Sequence, residues 1–92
     1  MYASIRHYEG NHALVDAILP HEGEVLRILR EIAGFRAYYL VRAADGAVSV
    51  TVCDDQAGAE ESNRVAAEWV QANIPEAASS PTVSAGEVAI AG

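Results

Sequence analysis

The chain contains no lysine. Its six basic residues are all arginine (Arg6, Arg27, Arg30, Arg36, Arg42 and Arg64), which excludes a Schiff-base lysine, a phosphate-loop lysine and a polybasic membrane patch. Cysteine is nearly absent too. Cys53 stands alone, so neither an internal disulfide nor a multi-cysteine metal site can form, and no cation beside it in sequence would activate its thiol. Positive charge is scarce: 6 arginines face 13 acids, for a net charge of −7. Nucleic acid is therefore not an expected partner, because its binding rests on cations meeting phosphates. No apolar run reaches the roughly 18 to 20 residues of a bilayer span. The first residues, Met1-Tyr2-Ala3-Ser4-Ile5-Arg6, do not follow the basic-then-apolar order of an export signal, so a cytoplasmic protein without membrane contact is expected. A G-x-S-x-G elbow is also missing, which leaves a Ser–His–Asp array without support.

What is present suits one packed domain over residues 1–92, since 51% of the chain is apolar. Residues 2–8 alternate and are rich in strand formers. Asn11 is placed to cap a helix that follows, and Leu14, Ile18, Val25, Ile28, Leu29 and Ile32 recur near the helical period. Pro20 interrupts that stripe, so a kink or break is expected near residues 18–21, with Gly34 closing the helix. Residues 35–43 and 47–53 read as two strands joined at Asp45-Gly46, a strong hairpin signal. Asp54 or Asp55 can cap the second helix, residues 58–74, which Pro75 ends. A polar connection and a last strand over residues 83–91 complete the order β-α-β-β-α-β. That order predicts an α+β, ferredoxin-like fold: a four-stranded antiparallel sheet with both helices on one face.

The sheet faces carry the next expectation. Val48, Val50 and Val52 mark the face beneath the helices, joined by Ala3, Ile5, Phe35 and Tyr39. The opposite face then carries Tyr2, Arg6, Tyr8, Tyr38 and Arg42, too aromatic for a freely solvated surface. Tyrosine and arginine are typical interface anchors, so these five residues are expected to join two copies sheet to sheet.

The stretches MYASIRHYEG, REIAGFRAYYLV, the Asp-Gly hairpin with VSVTVCDDQAGAEESNRVAAEWV, and the closing VSAGEVAI carry a resemblance that covers most of the chain. The chain resembles the dimeric α/β-barrel group, and within it the small proteins similar to antibiotic biosynthesis monooxygenases. The resemblance implies a homodimeric barrel and a ligand cavity between helices and sheet. It also implies cofactor-independent oxygenation of a small aromatic or polyketide-like molecule. Haem-degrading relatives use an asparagine on the first strand and a histidine on the second helix. Neither is present here, so haem degradation is not expected. Asn63 and Trp69 echo the asparagine and tryptophan of quinone-forming relatives, although six residues place them about 120° apart on an ideal helix.

The resulting candidates are Asn63, Trp69 and His7 as catalytic residues, with Phe35 and Tyr39 lining the substrate pocket. An amide and an indole N–H can hold a carbonyl or phenolate oxygen in an apolar pocket, and an imidazole suits a general base. Set against this, tryptophan often serves by area burial alone, and His7 reads also as a half-exposed histidine at a strand end. No cofactor is expected. Nor is a metal: His12, His21, Glu22 and Glu24 offer one helical His–Glu pair and no second to complete a centre. Two functions stay open, a cofactor-independent oxygenase and a non-catalytic small-molecule-binding or interaction module on the same fold.

Overall fold

The computed structural model describes all residues from Met1 to Gly92. Strand β1 (Tyr2–Glu9) takes up the alternating segment, and a short helix α1 (Leu14–Ile18) follows. One 3-10 turn over Leu19–His21 carries Pro20, after which α2 (Glu22–Arg30) resumes the apolar stripe. The break falls where proline removes a helical hydrogen bond. Strands β2 (Phe35–Ala43) and β3 (Gly46–Cys53) form a hairpin, α3 (Gln56–Asn73) follows, and β4 (Thr82–Glu87) completes the sheet. The strands lie in the order β2-β3-β1-β4, each neighbouring pair antiparallel. This is the ferredoxin-like βαββαβ arrangement of an α+β domain, its first helical layer broken in two. No helix is long and apolar enough to cross a membrane.

Local chemistry explains most boundaries. Asp55 caps α3, its Oδ1 accepting from the Gly58 N–H at 3.0 Å, which satisfies a donor that the first helical turn leaves free. Pro75 lies just past the end of that helix. Asn11, expected to cap the first helix, does not: α1 begins after Ala13 without a side-chain cap. The Asn11 amide instead donates to the Ala77 carbonyl (2.8 Å) and the Ser79 hydroxyl (2.9 Å), tying the helical layer to the segment before β4. The last strand ends at Glu87, short of the expected residue 91, and Ile90 beyond it is 93% exposed. Gly46 has φ +142°, and a Cβ there would collide with the Tyr8 carbonyl oxygen. Only glycine lets the hairpin pass so close to the end of β1.

The faces of the sheet are inverted relative to expectation. Cross-strand partners share a face, and Ser4↔Thr51, Arg6↔Ser49 and Tyr8↔Ala47 pair across β1 and β3. All six are buried under the helices. Ala3↔Val52, Ile5↔Val50 and His7↔Val48 form the open side, continued by Ala37, Tyr39 and Val41 of β2. There Ile5, Tyr39 and Val41 keep 41%, 61% and 47% of their surface exposed. The interface set assigned from sequence therefore lies on the covered side. Arg6 and Tyr8 are buried and Tyr38 packs against the core. Tyr2 pairs with Cys53 on the same side, and the exposed Arg42 bonds Asp16 at 2.6 Å.

The cause is hydrogen bonding. Polar side chains on the covered face satisfy one another and the facing residues of α3, so no buried side-chain nitrogen or oxygen lacks a partner. The helical stripe then finds its apolar partners in Tyr8, Tyr38, Leu40 and Ala47. A bulge between Phe35 and Ala37 adds a second change. Phe35 stands opposite Cys53 on the covered side, while Ala37 stands opposite Val52 on the open side.

Candidate functional site

Arg6 is the centre of the buried polar network. Its position on β1 points it beneath α3, where it is 2% exposed. Nε donates to Ser49 Oγ at 2.8 Å, one terminal nitrogen to Ser62 Oγ (3.1 Å) and Asn63 Oδ1 (2.7 Å), and the other to Thr51 Oγ1 (2.7 Å). Every one of these acceptors is neutral. Asn63 Oδ1 also accepts from Ser4 Oγ at 2.7 Å, so two donors fix the orientation of its amide. Arg27, Arg36, Arg42 and Arg64 each pair with a carboxylate nearer the surface; Arg6 has no such partner.

The ionisable neighbours of Arg6 do not supply the missing negative charge. Burial pushes the Tyr38 phenol up to about 12, against an opposing pull from the Arg6 charge. The buried Cys53 thiol is pushed up as well, by burial first and then by Asp55 and Asp54, with Arg6 again opposing. Both groups are neutral at physiological pH. Cys53 is therefore a poor nucleophile, because the thiolate is the reactive form.

The five residues proposed for catalysis and substrate binding are not brought together. Trp69 is buried, donates from Nε1 to Glu24 Oε1 at 3.2 Å, and meets His21 edge-on at 5.3 Å between ring centroids. His21 and Glu24, weighed above as metal ligands, thus both contact the indole. Asn63 belongs to the Arg6 network. His7 and Tyr39 lie on the open face, and Phe35 packs against the core. His7 Nε2 lies 3.2 Å from Asp45 and Nδ1 3.8 Å from Glu9. The donor atoms of these three lie within 4.8 Å of one another at the exposed end of β1.

Two separate hollows are lined by Trp69 and by Asn63. Trp69 lines an apolar cavity with Tyr8, Leu14, Ile18, Leu29 and Tyr38 whose volume is about 20 Å³. That is room for about one water, whereas a cavity known to bind benzene measures roughly 150 Å³. Asn63 lines a different cleft of about 310 Å³, bounded by α3, the segment 78–81 and β4, with Arg6 in its wall.

Ser4, Ser49, Thr51 and Ser62 are members of this network that the sequence reading did not single out. Their signal was present as Ser4-x-Arg6 and Ser49-x-Thr51, polar pairs at the strand period inside otherwise apolar segments. No protein-family model matches the chain, and no curated protein matches it in sequence.

Proposed function

We propose that this protein is a non-catalytic interaction module that works as a homodimer, two copies meeting through the open faces of their sheets in the manner of a dimeric α/β barrel. The observation that carries this reading is the character of that face. Ile5, Tyr39 and Val41 are large, apolar and exposed, and Val48, Val50 and Val52 lie between them. Such a face is unusual on a solitary domain.

A second copy can meet this face in spite of its charge. The chain carries −7 overall, so two copies repel unless the surfaces that meet are neutral. On this face the acid and imidazole groups of β1 gather at one end, where His7 and Glu9 lie beside Asp45, away from Ile5, Val50 and Tyr39. Apposed sheets pack about 10 Å apart with interdigitating side chains, and a specific contact of this kind buries about 800 Å² per partner. A cytoplasmic location accompanies the proposal, the one thiol being buried and unpaired.

The oxygenase alternative finds less support. The cavity beside Trp69 would have to open from about 20 Å³ to well over 100 Å³ to accept one ring, and Asn63, Trp69 and His7 face three different surroundings. Sedimentation equilibrium at micromolar concentration tests the proposal. A two-chain mass is expected, and a one-chain mass rejects it. Incubation with anthrone-type phenols, without cofactor, should consume no oxygen beyond the buffer rate; enzyme-dependent uptake would reject the non-catalytic part.

A further inference from the structure

We infer that the cleft between α3 and β4 binds a small organic carboxylate, with Arg6 supplying the positive charge and Asn63 a neutral donor. A guanidinium taken out of water costs several kcal/mol unless a counter-charge or a full set of hydrogen bonds offsets it. Arg6 is 2% exposed and has no carboxylate partner. It has four acceptors for its five N–H groups. The charge is held in place by neutral acceptors, with one N–H of the nitrogen that bonds Thr51 left over and no counter-charge, at the wall of an open cleft.

The rest of the lining selects the ligand class. The chain has 13 acids, yet none lines this cleft. Asn63 turns its oxygen to Ser4 and Arg6, which leaves its amide N–H groups without a partner beside the opening. Ser79 accepts from Asn11, so its own hydroxyl hydrogen remains available to donate. Donors therefore gather at one end, and Ala67, Val70 and Val83 give the remainder an apolar wall. A planar carboxylate meets a guanidinium and an amide with charge-assisted hydrogen bonds, and a short hydrocarbon or single ring suits that wall. Inorganic phosphate brings a second charge and no apolar body, so it fits less well. The cleft lies on the helix side of the sheet, and this inference stands or falls independently of the dimer.

Benzoate is a suitable probe, compared with benzyl alcohol and inorganic phosphate by amide chemical-shift titration of the intact protein. Benzoate should shift the Asn63, Gln71 and Ser79 resonances saturably, and benzyl alcohol should bind at least about tenfold more weakly. The variant Asn63→Asp provides a nearly isosteric internal carboxylate for Arg6. It should lose benzoate affinity by at least about tenfold while unfolding at a higher temperature than wild type. Equal binding of benzyl alcohol, equal binding of benzoate by Asn63→Asp, stronger binding of phosphate, or no saturable shift would each overturn the inference. The comparison of benzoate with benzyl alcohol uses wild-type protein alone, so it decides the matter even if a variant fails to fold.

Discussion

The two faces of the sheet have exchanged the characters that a half-solvated sheet would give them. The side under the helices holds Ser4, Arg6, Ser49 and Thr51, all buried. The side open to solvent holds Ile5, Val48, Val50, Val52, Tyr39 and Val41. A polar face can be buried when each donor meets an acceptor, and α3 supplies Ser62 and Asn63 for that purpose. An apolar face can be left open when a second surface covers it. Alternation along a strand thus reports that two faces differ; which one lies inside depends on the neighbours each meets.

The largest effect should come from charging the open face. Val50→Glu puts a carboxylate in the middle strand pair of the apolar surface, opposite Ile5, and in a symmetric dimer two such charges would meet a desolvated contact. Dimer affinity should fall at least about 100-fold, the mass dropping to that of one chain, with the far-ultraviolet circular dichroism unchanged. An unaltered two-chain mass would show that the contact uses some other surface.

On the covered face the corresponding test is Arg6→Ala. It removes three buried hydrogen bonds and a part-buried one and leaves a void, although the Ser and Thr hydroxyls can partly re-pair. The expected loss is about 3 kcal/mol, a fall in unfolding temperature of roughly 15 °C for a domain this small. A change of only a few degrees in thermal unfolding would mean that the network is dispensable to the fold.

Tyr38 tests the same face by pH. Its phenol is raised to about 12, burial being the main cause, against about 10 in an unfolded chain. A raised folded value means that the folded state holds the proton more tightly. The associated stabilisation is complete below about pH 10 and is lost as pH rises toward 12. Ultraviolet titration should show one tyrosine ionising only as pH approaches 12. The absence of such a late step, in protein that is still folded, would contradict the burial of that side chain.

What could be read without the structure follows the range of the interactions involved. Residues 2–8, the Asp45-Gly46 hairpin, Pro20 and Pro75 announce strands, a turn and two interruptions through chemistry within a few positions, and each appears in the fold. The bulge after Phe35 and the engagement of Asn11 with Ala77 and Ser79 depend on residues far along the chain, and no local pattern announces either. The site divides in the same way. Asn63 drew notice because it echoes the asparagine of quinone-forming relatives, but its partners Ser4 and Arg6 lie 59 and 57 positions away. The choice of face failed for a related reason: valine-rich β3 satisfies the usual rule for an inward strand face only if the partner surface is counted as interior.

The smallest expected effect is also the sharpest test of that point. Tyr39 is 61% exposed at the centre of β2's open side, opposite Val50. In the monomeric Val50→Glu background its ring has little protein to lose contact with, so Tyr39→Ser should change folding stability by no more than about 0.5 kcal/mol, as substitutions at exposed positions usually do. In the otherwise wild-type chain the same change removes an aromatic anchor from the proposed contact. Aromatic residues commonly dominate such surfaces, and truncating one costs about 2 kcal/mol or more of binding, read as roughly a 30-fold rise in the dimer dissociation constant. The comparison separates the two roles a tyrosine can have on a sheet. If the stability loss in the monomer equals the loss in dimer affinity, Tyr39 supports its own sheet, and the open face is simply a poorly solvated surface. If the monomer tolerates the change and the dimer does not, the hydrophobic half of this sheet belongs to the partner.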